Sequence, residues 1–135
     1  MSASTPYIGR SVKRLEDRRF LTGTGRYIDD IKLPDMAVMA IYRSPHAHAR
    51  INAIDLTAAK AVPGVIDAFC AADIDMDLPE IPLRLAPFDG FERFLQRPIA
   101  DDKVRYVGEP VAVVIASDRY IAEDAAELID VEYES

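Results

Sequence analysis

The two histidines, His46 and His48, have only Ala47 between them, which in an extended segment puts both imidazoles on one face. Such a pair can begin a metal site, but a third ligand is needed and no acidic or cysteine residue lies near in sequence. The competing reading is a hydrogen-bonding pair just past a strand end. Cys70, flanked by Phe69 and Ala71, could be a nucleophile only with a base and an electropositive setting, and nothing local supplies either. A buried, inert thiol is the expectation. Gly23-Thr24-Gly25 suggests a phosphate loop. The dinucleotide fingerprint needs a third glycine where Ile28 stands, and a P-loop needs a Gly-Lys-Ser or Gly-Lys-Thr that is absent. A turn or helix exit fits better. The carboxylate pairs Asp29-Asp30 and Asp101-Asp102 could do acid–base work, but adjacent strand residues point to opposite faces, so turn and capping roles are expected. Neither G-x-S-x-G nor H-E-x-x-H occurs.

The elements that would position these residues can be read along the chain. Residues 1–12 read as an extended arm, and 14–21 as about two turns of helix ended by Gly23 and Gly25. Tyr27 to Met36 reads as a strand edge and turn. The apolar run 36–42 suits a strand buried on both faces, closed by Ser44-Pro45. A second strand covers 48–56, with a bulge near Ala53. A short helix over 57–61, capped by Asp55 or Thr57, stops at Pro63-Gly64. A third strand covers 65–71. Residues 76–99 hold Pro79, Pro82, Pro87 and Pro98 with Phe88, Phe91, Phe94 and Leu95 among them, and are expected to form a long surface loop. Strands follow at 103–107 and 110–116, the second central. Asp118 caps a helix over 119–129 whose Ile121, Ala122, Ala125, Leu128 and Ile129 share a face. A last strand begins at Val131.

Composition bounds the function. The chain has 135 residues, a net charge of -7, 50% hydrophobic and 29% charged residues. That is the mix of one globular domain, expected to expose about 7,000 Å² when folded. A single cysteine makes no intrachain disulfide and no cysteine cluster. No run is long and apolar enough to span a bilayer, and the first residues lack a secretory apolar segment, so a cytoplasmic protein is expected. The negative charge argues against a nucleic-acid partner. Arg10, Lys13, Arg14, Arg18, Arg19 and Arg26 make the start basic. Asp118, Glu123, Asp124, Glu127, Asp130, Glu132 and Glu134 make the end acidic. These are either solvated faces or a surface that docks on a complementary partner.

Three segments, GRSVKRLEDRRFLTGTGRYIDDI (9–31), RSPHAHARINAIDLTAAKAVPGV (43–65) and DDKVRYVGEPVAVVIASDRYIAEDAAELIDVEYE (101–134), together resemble the N-terminal part of one protein family. It is the molybdenum-containing large subunit of the aldehyde oxidase, xanthine dehydrogenase and carbon monoxide dehydrogenase family. The resemblance implies one α+β domain over 1–135, the α/β-hammerhead, with a bent mixed sheet and two to three helices. It implies a parent oxidoreductase complex with molybdopterin, commonly as the cytosine dinucleotide, two [2Fe-2S] clusters and FAD. Partners would be a molybdopterin-binding domain or subunit and iron–sulfur and FAD subunits. The family's cofactor-binding segments and active-site glutamate lie beyond the hammerhead, so no catalytic, cofactor-binding or metal residue is assigned to this chain. Alone it is expected to bind no cofactor, to be inactive, and to self-associate through apolar surface near 36–42 and 76–99. The alternative is a stand-alone protein-binding module that kept the fold without the enzyme.

Overall fold

The computed structural model describes residues 7–74, 76–82, 89–90 and 92–135. The chain divides into two units, Met1–Pro34 and Asp35–Ser135.

In the first unit, the described residues are all exposed except half-buried Gly25. Helix α1 covers Asp17–Leu21, shorter than the 14–21 predicted, and a 3-10 turn covers Ile28–Asp30. Five residues give α1 little helical hydrogen bonding of its own. Local contacts supplement it: Glu16 pairs with Arg19, and the Thr22 hydroxyl donates to Arg18 O at 2.8 Å. The Phe20 and Tyr27 rings stack at 5.6 Å. Gly25 lets the chain pass Phe20: a Cβ there would lie 2.5 Å from Phe20 Cδ1. Part of the stretch read as an extended arm turns, with Arg10 N–H donating to Tyr7 O at 3.3 Å.

Among its described residues the second unit holds six strands and two α-helices. They are β1 (Val38–Arg43), β2 (Ala49–Asp55), α2 (Thr57–Lys60), β3 (Val65–Cys70), β4 (Lys103–Val104), β5 (Pro110–Ala116), α3 (Arg119–Glu127) and β6 (Asp130–Glu134). Where one bent mixed sheet was expected, the strands form two three-stranded sheets, ordered β1-β5-β3 and β4-β2-β6, and every pairing is antiparallel. The division has a local cause. Pro45 lacks a donor, so the ladder of β1 cannot continue, and the chain crosses to the second sheet before β2. It crosses back between β4 and β5 through Gly108-Glu109-Pro110.

β5 is central, as predicted, with five of its seven residues buried. β1 is not buried on both faces: it is an edge strand, and Met39 is 60% exposed. Apolarity indicates that a strand tolerates cover, not that cover is present. The bulge expected in β2 falls between Ile51 and Ala53. Helices α2 and α3 pack Ala59, Ala125 and adjoining Ile129 against Ala68, Cys70, Ala112 and Val114. The alanines let α3 approach the sheet closely. Leu128, predicted to be inward, is 49% exposed because the helix ends at Glu127 and Leu128 is its cap. A second cluster, Ala49, Ala100, Val104 and Val111, fills the angle between the sheets. A 3-10 turn at Glu92–Phe94 and a 2.8 Å bond from Ile81 N–H to Gln96 O tie part of the 76–99 loop. Its Pro87, Phe88 and Phe91 lie outside the described residues. No helix among the described residues is long and apolar enough to cross a membrane.

Candidate functional site

The two crossings between sheets meet at one corner. Ser44 N–H donates to Glu109 O at 2.9 Å, Gly108 N–H to Ser44 O at 2.8 Å, and Arg43 Nη1 to Gly108 O at 2.8 Å. Ser44 and Glu109, each 2% exposed, are the buried polar residues of the described chain. Both are satisfied, as buried polar groups must be. The Ser44 hydroxyl accepts from His46 N–H at 3.0 Å. The Glu109 carboxylate accepts from Arg105 N–H and lies 3.7 Å from the Arg105 guanidinium. Gly108, with φ +89°, makes the turn that brings Glu109 inward.

Tyr133 of β6 closes the corner. The His46 ring lies 4.7 Å from its ring, tilted by 50°. Its hydroxyl is shielded from water and makes no hydrogen bond of ordinary geometry, although the hydroxyls of Ser44 and Tyr42 act on its proton. Burial, then Tyr42, pushes the Tyr133 phenol up to about 12.

Beside the corner lies a cavity of about 250 Å³ whose charged lining is Glu80, Arg97, Asp101, Asp102, Arg105 and Glu109. Arg97 pairs with Asp101 at 2.9 Å and Asp77 at 3.7 Å, and Arg105 with Asp102 at 3.4 Å. These pairs leave both guanidinium groups engaged within the fold. Exposed pairs of this kind contribute little stability, typically about 0–1 kcal/mol each.

The structure separates the residues whose types had suggested chemistry. The chain bends at Ala47-His48, so the histidines do not share an extended face: His46 is half-buried against Tyr133 and His48 is exposed. Cys70 is buried, its sulfur 3.3 Å from Asp73 Oδ2, and burial pushes the thiol up. Asp73 is held low, first by the Cys70 N–H that donates to it at 2.9 Å. Gly23-Thr24-Gly25 is the exit of α1, where Thr24 and Gly25 N–H groups donate to Arg19 O. Asp30 accepts from Tyr27 N–H at 2.9 Å, and Asp101 and Asp102 join the pairs above. Among the described residues no three such side chains converge on a metal-sized volume. One cysteine in the sequence cannot supply the several thiolates that a [2Fe-2S] cluster takes. Sequence reasoning missed Ser44, Glu109 and Tyr133. A glutamate in a predicted turn carries no signal of burial, and the corner exists only because residues 44 and 109 meet.

The comparisons with known proteins bear on this fold directly. A model of the "aldehyde oxidase and xanthine dehydrogenase, a/b hammerhead domain" matches residues 22–135. The chain belongs to that family. It is 46% identical over 127 residues to the carbon monoxide dehydrogenase large chain of Afipia carboxidovorans, covering 94% of this chain and 15% of that protein. It is 42% identical to the nicotine 6-hydroxylase large subunit of Paenarthrobacter nicotinovorans, with the same coverage. Among solved structures, quinoline 2-oxidoreductase of Pseudomonas putida 86 superposes with a TM-score of 0.79 at 48% identity, over 98% of this chain and 17% of that one. The hammerhead chain therefore spans about 15% of the length of these two large chains. Those relatives are large chains of oxidoreductases, and the match falls on a fragment of each.

Proposed function

We propose that this hammerhead chain is the structural and docking N-terminal domain, or split subunit, of a molybdenum hydroxylase of the aldehyde, xanthine or carbon monoxide dehydrogenase type. One observation carries the reading: 94% of the chain aligns with 15% of a carbon monoxide dehydrogenase large chain at 46% identity. Physical support comes from surface that lacks cover. Ile8, Leu15, Leu21 and Ile28 are 86–100% exposed, and side chains of that size are normally covered by something. The family model begins at residue 22, inside the first unit, which favours one hammerhead domain over 1–135.

On this reading the chain contributes no catalytic, cofactor-binding or metal residue. Molybdopterin, in its cytosine dinucleotide form, sits on the portion that this domain packs against. Two [2Fe-2S] clusters and FAD sit on partner subunits, in the cytoplasm. When bound, molybdopterin supplies the oxidation chemistry of the complex. This chain's Glu109, Arg105 and Ser44 hold the corner between the sheets, so that the docking faces keep a fixed angle.

The test is turnover by the purified full chain with carbon monoxide, an aldehyde and a purine, using a dye acceptor, alongside metal analysis and a visible spectrum. No turnover, no stoichiometric molybdenum and no flavin or iron–sulfur absorption are expected. Turnover of any of the three by the chain alone would sink the reading.

A further inference from the structure

The order β1-β5-β3 leaves β3 with one neighbour, β5, and one free edge. A free edge is a template on which another chain can add a strand. The sequence of β3, Val65-Ile66-Asp67-Ala68-Phe69-Cys70, suits such addition: six residues, no proline and one charge. The edges of the other sheet are closed by simpler means, since β4 has two residues and β6 carries Asp130, Glu132 and Glu134.

At β3 the outward donors are occupied. Ala68 N–H donates to Asp67 Oδ1 at 2.8 Å, and Cys70 N–H donates to Asp73 Oδ2 at 2.9 Å. Alternate residues of a strand turn their N–H groups to opposite edges, so donors two residues apart share an edge. Carboxylate acceptors, in place of β5 carbonyls, mark that edge as the one facing away from β5. Asp67 lies in the strand itself, and the 3-10 turn Ala71–Asp73 carries the second carboxylate back to Cys70. Lys60 of α2 stands 3.5 Å from Asp67 and favours the ionised form of Asp73 by its charge. We propose that Asp67 and Asp73 form an edge lock: by occupying the outward main-chain donors of β3, they keep another chain from adding a strand there. An incoming strand would have to displace two carboxylates, and its carbonyl oxygens would meet negative charge.

The test compares the full chain with two double variants in dilute buffer of low salt at neutral pH, by sedimentation and thioflavin fluorescence. Asp67→Ala with Asp73→Ala removes both acceptors. It is expected to form oligomers, with fluorescence rising roughly tenfold or more over the wild type, because the opened edge pairs between chains. Asp67→Asn with Asp73→Asn keeps an acceptor oxygen at each position and is expected to stay monomeric. The two variants carry the same net charge, so reduced repulsion cannot account for a difference between them. A monomeric Ala variant, even a destabilised one, overturns the lock and leaves the carboxylates as turn-forming groups only. Equal association of the Asn and Ala variants overturns the claim that occupied donors close the edge. Should the Ala variant fail to fold by circular dichroism, amide hydrogen exchange of the wild type decides. Ala68 and Cys70 amides should exchange slowly, and exchange as fast as in an unfolded peptide would show that the donors are open.

Discussion

Tyr133 shows how far a single buried atom can shape this domain's behaviour. Its hydroxyl sits where water cannot reach and no partner is well placed, and an unmet buried polar group costs about 1–3 kcal/mol. Tyr133→Phe is therefore expected to raise stability at neutral pH by about 1 kcal/mol. The pH dependence has a definite sign. The folded phenol titrates at about 12 against 10.0 for the free group, so folding favours the protonated form. Its contribution holds below about pH 10 and is lost as pH climbs toward 12. Cys70, raised from 9.0, loses its contribution in the same direction and starts lower. Urea unfolding across this range should show wild-type stability falling from about pH 9 and continuing above 10. The Phe variant should keep only the earlier fall. A Phe variant that is less stable at neutral pH would show that the hydroxyl is well bonded. Cys70's burial was legible from its apolar neighbours. Tyr133's was not, because its cover comes from Ser44, His46 and Tyr42, far away in the chain.

At the scale of elements, legibility followed the range of the interactions. α3 was readable because a local signal sets its start: Asp118 accepts from Tyr120 N–H at 2.8 Å. Its end was read two residues late, because the apolar period runs on through Leu128 and Ile129 while the helix stops at Glu127. Asp118→Ala should cost about 1 kcal/mol, within a range of about 0.5–2. Thermal unfolding should show this as a lowered midpoint with unchanged cooperativity; no shift would mean that packing alone holds the helix. The bulge in β2 and the turn at Pro63-Gly64 were readable for similar reasons. Gly64 adopts φ +95°, and its carbonyl accepts from Ser117 N–H at 3.0 Å. The sheet partition was not readable. β1 and β5 look alike as apolar runs, and only pairing distinguishes an edge from a centre. Nor does any local pattern announce that Ser44-Pro45 and Gly108-Glu109-Pro110 cross between sheets at one corner.

For the whole molecule, two opposing quantities set solution behaviour. The chain exposes large apolar side chains, Ile8, Leu15, Leu21 and Ile28 among them, which favours association. It also carries -7, which opposes association between copies. Charge repulsion is screened by salt and apolar attraction is not: the Debye length falls from about 10 Å at 0.1 M to about 3 Å at 1 M ionic strength. The isolated chain should therefore sediment as a monomer in dilute buffer and associate reversibly as salt rises. Nucleic-acid binders show the opposite dependence on salt. Leu15→Glu combined with Leu21→Glu should keep the chain monomeric throughout, because it places charge among the exposed apolar side chains that would otherwise pair with a copy. A wild-type chain that stays monomeric at every salt concentration would mean that these exposed apolar side chains are too scattered to hold a partner, and would weigh against their being a surface that a partner covers.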